Sequence, residues 1–170
     1  MSTRASRPVD LDLTALAERL GDRCRERGVT VTAAESCTGG GVACAITAVA
    51  GSSAWFETGY VTYADGAKTR LLGVPEALLA EHGAVSRAVV EAMVVGACRD
   101  SGAELGVAIS GVAGPGGGTP DKPVGTVWLA WGDADGAGAT CHRFEGDRAA
   151  VREQAVREAL VGLVQRLEPY

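Results

Sequence analysis

The sequence predicts an α/β protein, specifically a three-layer α/β/α sandwich around a mixed sheet of about five strands. Segments with helical apolar spacing alternate with short runs of β-branched residues, which is typical of this class. The run at 105–110 is almost continuously apolar, as expected for a strand covered on both faces. Two later runs, at 125–131 and 139–144, flank a turn at 132–136 and predict an antiparallel hairpin.

The first half of the chain predicts a strand–helix–strand unit behind an opening helix. Asp10 is the expected cap of that helix and Gly28 its end. Its apolar face is spaced at 3.6 residues and comprises Leu13, Leu16, Ala17, Leu20 and Cys24. A strand at 29–32 follows, then a helix ending at Gly51 and a strand at 56–63. Such a unit is expected to be right-handed.

Turn and cap residues divide the middle of the chain. Gly59 suggests a bulge or a close backbone approach in its strand. Asp65 is the expected cap of a short helix, Pro75 the first residue of the next helix, and Gly83 its C-terminal cap. Ser86 is expected to cap a longer helix that stops before Gly102.

The last helix is predicted from its cap and its two contrasting faces. Asp147 caps it. Its apolar face consists of Val156, Leu160, Leu163 and Leu167. Its polar face consists of Arg152, Glu153, Arg157 and Glu158.

Length and composition favour one domain and exclude several classes of function. We assign residues 1–9 to a flexible tail and residues 10–170 to a single domain. With 46% hydrophobic residues and a net charge of −5, the chain resembles neither a disordered protein nor a general nucleic-acid binder. No apolar run is long enough to span a membrane, and no secretory signal is visible. The five cysteines form no CxxC pair and indicate reduced thiols, which favours the cytoplasm.

The stretch at 34–40, Ala-Glu-Ser-Cys-Thr-Gly-Gly, joins the first strand to the second helix. A hydroxyl at such a junction lies beside unpaired N–H groups that favour an anion. Ser36 is therefore a candidate nucleophile, although these seven residues alone favour the simpler interpretation that Ser36 or Thr38 caps the helix. Cys37 is a weaker rival nucleophile, since no His lies near it in sequence.

A serine nucleophile needs a base, and the two histidines, His82 and His142, do not lie in turns that look catalytic. The segment 60–68 offers Tyr63 and Lys68 instead. A lysine acts as a base only if its pKa falls from ~10.4 towards ~7–8, which requires about 3–4 kcal/mol of destabilisation of the charged form. A solvated Lys68 and an ordinary strand tyrosine remain the simpler interpretation of these residues alone.

The glycine-rich loop that begins at Gly111 has no Walker ending and opens no predicted helix, so it does not indicate an NTPase. No cluster of Cys, His or Asp has metal-ligand spacing, and we predict neither a metal nor a cofactor.

Four ordered motifs resemble the CinA C-terminal domain family over residues 13–167. They are Ala34-Glu35-Ser36-x-Thr38-Gly39-Gly40, Tyr60-Val61-Thr62-Tyr63 with Lys68, Ile109-Ser110-Gly111-x-Ala113-Gly114-Pro115-Gly116-Gly117, and Lys122-Pro123-Val124-Gly125. The chain departs from the family pattern at Gly41 and at Ala64-Asp65. The resemblance implies hydrolysis of nicotinamide mononucleotide to nicotinate mononucleotide and ammonia.

The resemblance also implies roles for individual residues. Ser36, Lys68 and Tyr63 would be nucleophile, base and assisting phenol. The implied substrate-binding residues are Glu35, Thr38, Gly39, Gly40, Ser110, Gly111, Gly114, Gly116, Gly117, Lys122 and Arg148. The expected partners are this small substrate and further copies of the chain, since the Ala/Gly-rich second helix favours a homo-oligomer. The alternatives are an amidohydrolase for a related nucleotide amide and a non-catalytic interaction protein associated with competence or DNA damage.

Overall fold

The structure is a computed structural model that describes residues 8–169, with side chains from Leu13 onward. Most of the predicted tail, residues 1–7, lies outside the described residues. The helices are α1 (Pro8–Arg27), α2 (Gly41–Thr47), α3 (Asp65–Leu72), α4 (Glu76–His82), α5 (Arg87–Ser101) and α6 (Arg148–Leu167). The strands are β1 (Val31–Glu35), β2 (Phe56–Val61), β3 (Leu105–Gly111), β4 (Thr126–Gly132) and β5 (Ala137–Arg143).

The five strands form one mixed sheet in the order β2-β1-β3-β4-β5. β1 is parallel to both β2 and β3, whereas β3–β4 and β4–β5 are antiparallel. Helices α1, α2 and α6 pack together on one face, and α3, α4 and α5 on the other. The predicted three-layer sandwich with a mixed five-stranded sheet is confirmed.

The central strands explain why the core divides into two parts. All five residues of β1 are buried, and β3 is buried except at its ends. Trp131 on β4 packs toward α6, where its indole N–H donates to the Ala159 carbonyl at 3.1 Å. Trp128, three residues earlier, lies on the α5 side beside Arg87. The two tryptophans therefore lie on opposite faces of the sheet, as side chains three residues apart in a strand do.

Both predicted ends of the first strand are wrong, the start by two residues and the end by three. β1 begins at Val31, because the Val29 N–H still bonds the Cys24 carbonyl at the end of α1. The strand then continues to Glu35. Ala33 and Ala34 lack large apolar side chains, but small residues fit a strand that is packed on both faces. This shift makes Glu35 the last strand residue and places Ser36 at the carboxyl edge of the sheet.

β2 ends at Val61 rather than at the predicted Tyr63. The chain turns there, and the carbonyls of the next two residues accept hydrogen bonds from a side chain instead of a strand. The β1–β2 register shifts just before Gly59, as its sequence suggested. A Cβ at Gly59 would lie 3.0 Å from the Phe56 ring, so the close approach is also present.

Three of the predicted helix starts need correction. α1 begins at Pro8, ahead of the expected cap Asp10. Asp65 is the first residue of α3, behind an extended Ala64, and Pro75 caps α4 instead of opening it. In contrast, the Ser86 and Asp147 side chains accept from the N–H groups of Val89 and Ala150, and both predicted caps are confirmed. Gly83 and Gly102 also cap their helices as predicted.

Candidate active site

Ser36 lies where the parallel strands β1 and β3 end. Its N–H donates to the Ile109 carbonyl at 2.9 Å and so continues the ladder between the two strands. The chain then turns tightly, and the Gly39 N–H donates to the Ser36 carbonyl at 3.1 Å. Gly39 and Gly40 have φ of 58° and 102°, values that glycine adopts readily. The turn leaves the side chain of Ser36 at the edge of the sheet, where ligands bind in open α/β folds.

Glu35, and not Ser36 or Thr38, caps α2. Its carboxylate accepts from the N–H groups of Val42 at 2.8 Å and Ala43 at 3.1 Å, and from the Thr38 hydroxyl at 2.7 Å. The N-cap residue itself is Gly40, which has no side chain to contribute. The explanation of Ser36 or Thr38 as the helix cap is therefore wrong. The buried carboxylate neutralises much of the positive end of α2, and the Ser36 hydroxyl is available for other contacts.

The Ser36 hydroxyl contacts the amine of Lys68. Nζ lies 3.0 Å from Ser36 Oγ, 2.7 Å from the Thr62 carbonyl oxygen and 3.0 Å from the Tyr63 carbonyl oxygen. A neutral amine has two N–H donors and one lone pair. In that form the two carbonyls can take both donors and the lone pair can accept from the Ser36 hydroxyl, whereas an ammonium donates to all three oxygens. This arrangement can accept the serine proton.

Burial also favours the neutral amine. Lys68 is 0% exposed, and desolvation lowers its pKa from the usual 10.5. The carboxylate of Asp65, at the start of α3, acts in the opposite direction but is the smaller influence. Two residues that lie 32 positions apart in sequence thus meet because α3 returns across the end of β1.

Tyr63 contacts this pair through its backbone rather than its phenol. The side chain is 63% exposed, and its hydroxyl accepts from Arg148 Nη2 at 3.2 Å. Arg148 Nη1 also donates to the Gly114 carbonyl at 2.8 Å, so this guanidinium joins Tyr63 to the glycine-rich loop. Among residues 13–169, no hydrogen bond joins the Tyr63 phenol to Ser36.

A cavity of about 320 Å³ opens over the Ser36–Lys68 pair. Its lining includes most of the predicted site residues, namely Ser36, Tyr63, Lys68, Ser110, Gly111, Gly114, Gly116, Gly117 and Arg148. Its lining also includes Cys37, Ala84, Val85, Val112 and Ala113, which the sequence analysis did not assign to the substrate. Ala84 and Val85 belong to the segment between α4 and α5, and no local sequence pattern predicts that they line a cavity.

Five of the predicted substrate-binding residues do not line this cavity. Glu35 and Thr38 are 1% exposed and bond each other beneath the turn, beside Gly39 and Gly40. Lys122 donates from Nζ to the His82 carbonyl at the end of α4, at 2.6 Å. The side chains of Glu35, Thr38 and Lys122 bond one another or backbone groups outside the cavity.

Arg152 is a residue of the site that sequence reasoning missed. The polar face of the last helix suggested a solvated cation, yet its Nε donates to the Cys37 carbonyl at 3.1 Å and its Nη2 to the Thr38 carbonyl at 3.3 Å. The guanidinium therefore fixes the turn directly behind the candidate nucleophile. The helical pattern gives no sign of this, because the contact spans more than a hundred residues of chain.

Cys37 is a poor rival nucleophile in this setting. Burial raises the pKa of its thiol to about 11, so the thiol is protonated near neutral pH. Two larger cavities, of about 650 and 660 Å³, both include Arg152 in their lining, and neither includes Ser36 or Lys68. The cavity of about 320 Å³ is the one that contains the Ser36–Lys68 pair.

Within residues 13–169, no three His, Cys, Asp or Glu side chains gather as metal ligands would. None of the described helices has the length and apolar character needed to cross a membrane.

The fold and the Ser36–Lys68 pair define an α/β protein with a candidate hydrolytic site at the carboxyl edge of its parallel strands. The family model of the CinA C-terminal domain matches residues 13–167, and the chain belongs to that family. The predicted family membership is thus confirmed.

Named relatives and solved structures agree with this assignment. The chain is 62% identical to the nicotinamide-nucleotide amidohydrolase PncC of Pseudomonas putida over 90% of this chain and 96% of the relative. It is 54% identical to the protein of the same name from Escherichia coli K12, over 92% and 96%. A solved CinA superfamily structure from Klebsiella pneumoniae superposes with a TM-score of 0.88 at 43% identity, covering 91% of this chain and 97% of that one. These relatives confirm the prediction of an amidohydrolase.

Proposed function

We propose that this chain hydrolyses the carboxamide of nicotinamide mononucleotide, giving nicotinate mononucleotide and ammonia. The observation that carries the mechanism is the 3.0 Å contact between Ser36 Oγ and the buried amine of Lys68. The substrate is proposed from the names of the relatives at 54–62% identity. The cavity of about 320 Å³ is of a size that ligand pockets typically have.

In the first step, neutral Lys68 takes the proton of Ser36 as Oγ attacks the carboxamide carbon. The C–O bond forms, the carbonyl electrons move to oxygen, and a tetrahedral oxyanion results. The ammonium of Lys68 then returns the proton to the amide nitrogen, the C–N bond breaks and ammonia leaves. Water hydrolyses the acyl-enzyme with Lys68 again as the base, and the serine is regenerated.

The oxyanion donors are proposed to be the Cys37 N–H and groups of the segment that begins at Ser110. The Ser36 and Gly39 N–H groups are already bonded to carbonyls, and of residues 37–40 only Cys37 lines the cavity. The Ser110 side chain does line it, and its hydroxyl has no hydrogen bond with a described residue. Loss of one oxyanion donor typically costs ~10²–10³ in kcat.

The nucleotide phosphate is proposed to bind between the glycine-rich loop and Arg148. The N–H groups of Gly116 and Gly117 bond no described residue, and both glycines line the cavity. Arg148 supplies the positive charge at the same wall. Tyr63 is proposed to orient this guanidinium, in place of the role of assisting phenol that the family resemblance implies.

The test is to incubate the purified protein with nicotinamide mononucleotide and to measure ammonia and nicotinate mononucleotide. We expect turnover by the wild-type chain and none above background by Ser36→Ala. Mass spectrometry of quenched wild-type enzyme should find an acyl adduct on the peptide that contains Ser36. Turnover of another amide in its place would favour a different nucleotide substrate, and turnover of no amide would favour a non-catalytic role.

Self-association and a cytoplasmic location stay predictions. Self-association is supported by exposed apolar side chains near the end of β2 and on α3, where Val61 is 52% and Leu71 47% exposed. Sedimentation velocity of the purified chain tests it, and a single monomer peak would contradict it.

A further inference from the structure

Part of the apolar lining of the active cavity comes from a short segment between two helices. This segment, residues 83–85, follows α4 and precedes the cap of α5. Its Ala84 and Val85 line the cavity together with residues of the glycine-rich loop. We call it the 83–85 wall.

One end of the 83–85 wall is held by the helix that follows it. The Ser86 hydroxyl donates to the Gly83 carbonyl at 2.7 Å and accepts from the Val89 N–H at 3.4 Å. α5 is well buried through Val89 and Val90, so this anchor is firm. It holds the wall at Ser86 and at the carbonyl of Gly83, while the Gly83 N–H donates to the Leu79 carbonyl at 2.9 Å.

Lys122 holds the residue that directly precedes the wall. Its Nζ donates to the carbonyl of His82, the last residue of α4, at 2.6 Å. A Cβ built on Gly83 would lie only 3.2 Å from the same Nζ, so the ammonium lies directly against the wall. The carbonyls at the end of a helix are partly negative and lack helical partners, and a cation is favourable there.

Lys122 is itself held rigidly. Its N–H donates to the Thr119 hydroxyl and its carbonyl accepts from the Thr119 N–H, both at 3.0 Å. The next carbonyl, of Pro123, accepts from both the N–H and the hydroxyl of Thr126 at the start of β4. The ammonium thus connects the central sheet to the end of α4.

We propose that Lys122 is a positioning residue that sets the shape of the substrate cavity by holding the 83–85 wall, without touching the substrate. This inference rests on the proposed function, because the wall would pack against the pyridine ring of the nucleotide. A wall that moves affects ground state and transition state alike, so the Lys122 contact acts on KM and leaves kcat nearly unchanged.

The test compares Lys122→Met with Lys122→Arg, since methionine keeps the apolar stem and arginine keeps a donor for the carbonyl. With nicotinamide mononucleotide as substrate, we expect KM to rise about fivefold or more in Lys122→Met, with kcat within about twofold of wild type. Lys122→Arg should restore most of the KM. An unchanged KM in Lys122→Met, or a fall in kcat as large as the rise in KM, overturns the proposal.

Hydrogen–deuterium exchange supplies a second measurement that needs no substrate. We expect faster exchange in Lys122→Met for the peptide at residues 79–86, where the Gly83 N–H bonds the Leu79 carbonyl, and unchanged exchange in β3 and α6. A KM effect without local exchange would mean that Lys122 binds the nucleotide directly and would overturn the proposal. A rise in exchange throughout the protein would also overturn it, since the ammonium would then be holding the whole fold. If the wild type does not hydrolyse the nucleotide, the proposed function fails while this measurement still decides the role of Lys122.

Discussion

Replacing Lys68 with methionine is the most direct test of the catalytic arrangement. Methionine approximates the length of the lysine stem but cannot accept the Ser36 proton. General base catalysis is typically worth ~10²–10⁴ in rate. That range corresponds to about 2.7–5.4 kcal/mol of transition-state stabilisation, at roughly 1.36 kcal/mol for each factor of ten.

The burial of Lys68 places the expected loss toward the upper end. The side chain is 0% exposed, and its amine fills the space between Ser36 Oγ and two backbone carbonyls, so bulk water has no access from that side. We expect kcat/KM for nicotinamide mononucleotide to fall by about 10³–10⁴ in Lys68→Met. The affinity for the nucleotide, measured by calorimetry, should change little.

The control for this variant is Arg70→Met, which removes an exposed cation from the same helix. It should retain wild-type activity. Lys68→Met with more than about a tenth of wild-type kcat/KM would refute the assignment of Lys68 as the base. A loss of activity together with a loss of nucleotide binding would indicate a collapsed cavity instead of a missing base.

The pH dependence gives an independent measurement on the wild-type enzyme. Lys68 acts only when it is neutral, so kcat/KM should rise with pH through its pKa and then level off. Burial lowers that pKa, so the midpoint should lie below 10.5. The same shift affects folding. Between the lowered pKa and 10.5 the unfolded chain binds more protons, so the free energy of unfolding should rise with pH, and this slope should disappear in Lys68→Met. A midpoint at or above 10.5 would contradict the neutral amine.

Three further substitutions test the supports of the site. Glu35→Gln removes the carboxylate that caps α2, and we expect a loss of ~1–2 kcal/mol in urea unfolding, whereas an unchanged midpoint would contradict the cap. Arg152→Met removes both contacts to the turn behind Ser36, so kcat should fall by about tenfold or more, with a smaller change in KM. Equal activity of this variant and wild type would show that the turn holds its shape alone. Gly162→Ala should lower stability by ~1–3 kcal/mol, because its Cβ would lie 2.1 Å from the Trp131 ring, and a stable variant would show that the indole can move.

Periodicity and turn residues were sufficient to predict the fold. Local patterns predict individual elements: the apolar stripes predict the two terminal helices, the continuous apolar run predicts β3, and the turn predicts the β4–β5 hairpin. Together these elements leave few possible topologies. The boundary of β1 was missed because Ala33 and Ala34 have low β-propensity and are strand residues only by virtue of burial on both faces.

The candidate site could be predicted only where its signal is local. Ser36 stands out because a hydroxyl, small residues and a strand–helix junction coincide within seven positions. The contact of Ser36 with Lys68 could not be inferred from spacing, since it depends on how α3 crosses the sheet. For the same reason the sequence placed Arg152 on the polar face of its helix and Lys122 among the substrate-binding residues. Each makes its contacts with backbone carbonyls, and sequence patterns carry almost no information on carbonyl positions.

The charged residues around the Ser36 turn explain how a neutral amine can persist beside it. Glu35 is the carboxylate nearest to Ser36 in sequence, and an open carboxylate facing Lys68 would raise the pKa of the amine. Its oxygens are instead taken up by Thr38 and the first N–H groups of α2, below the turn. Arg152 meanwhile pairs with carbonyls of that same turn and does not enter the cavity of Ser36 and Lys68. Both charges therefore stabilise the backbone that carries the nucleophile, and burial is left as the main influence on the protonation of Lys68.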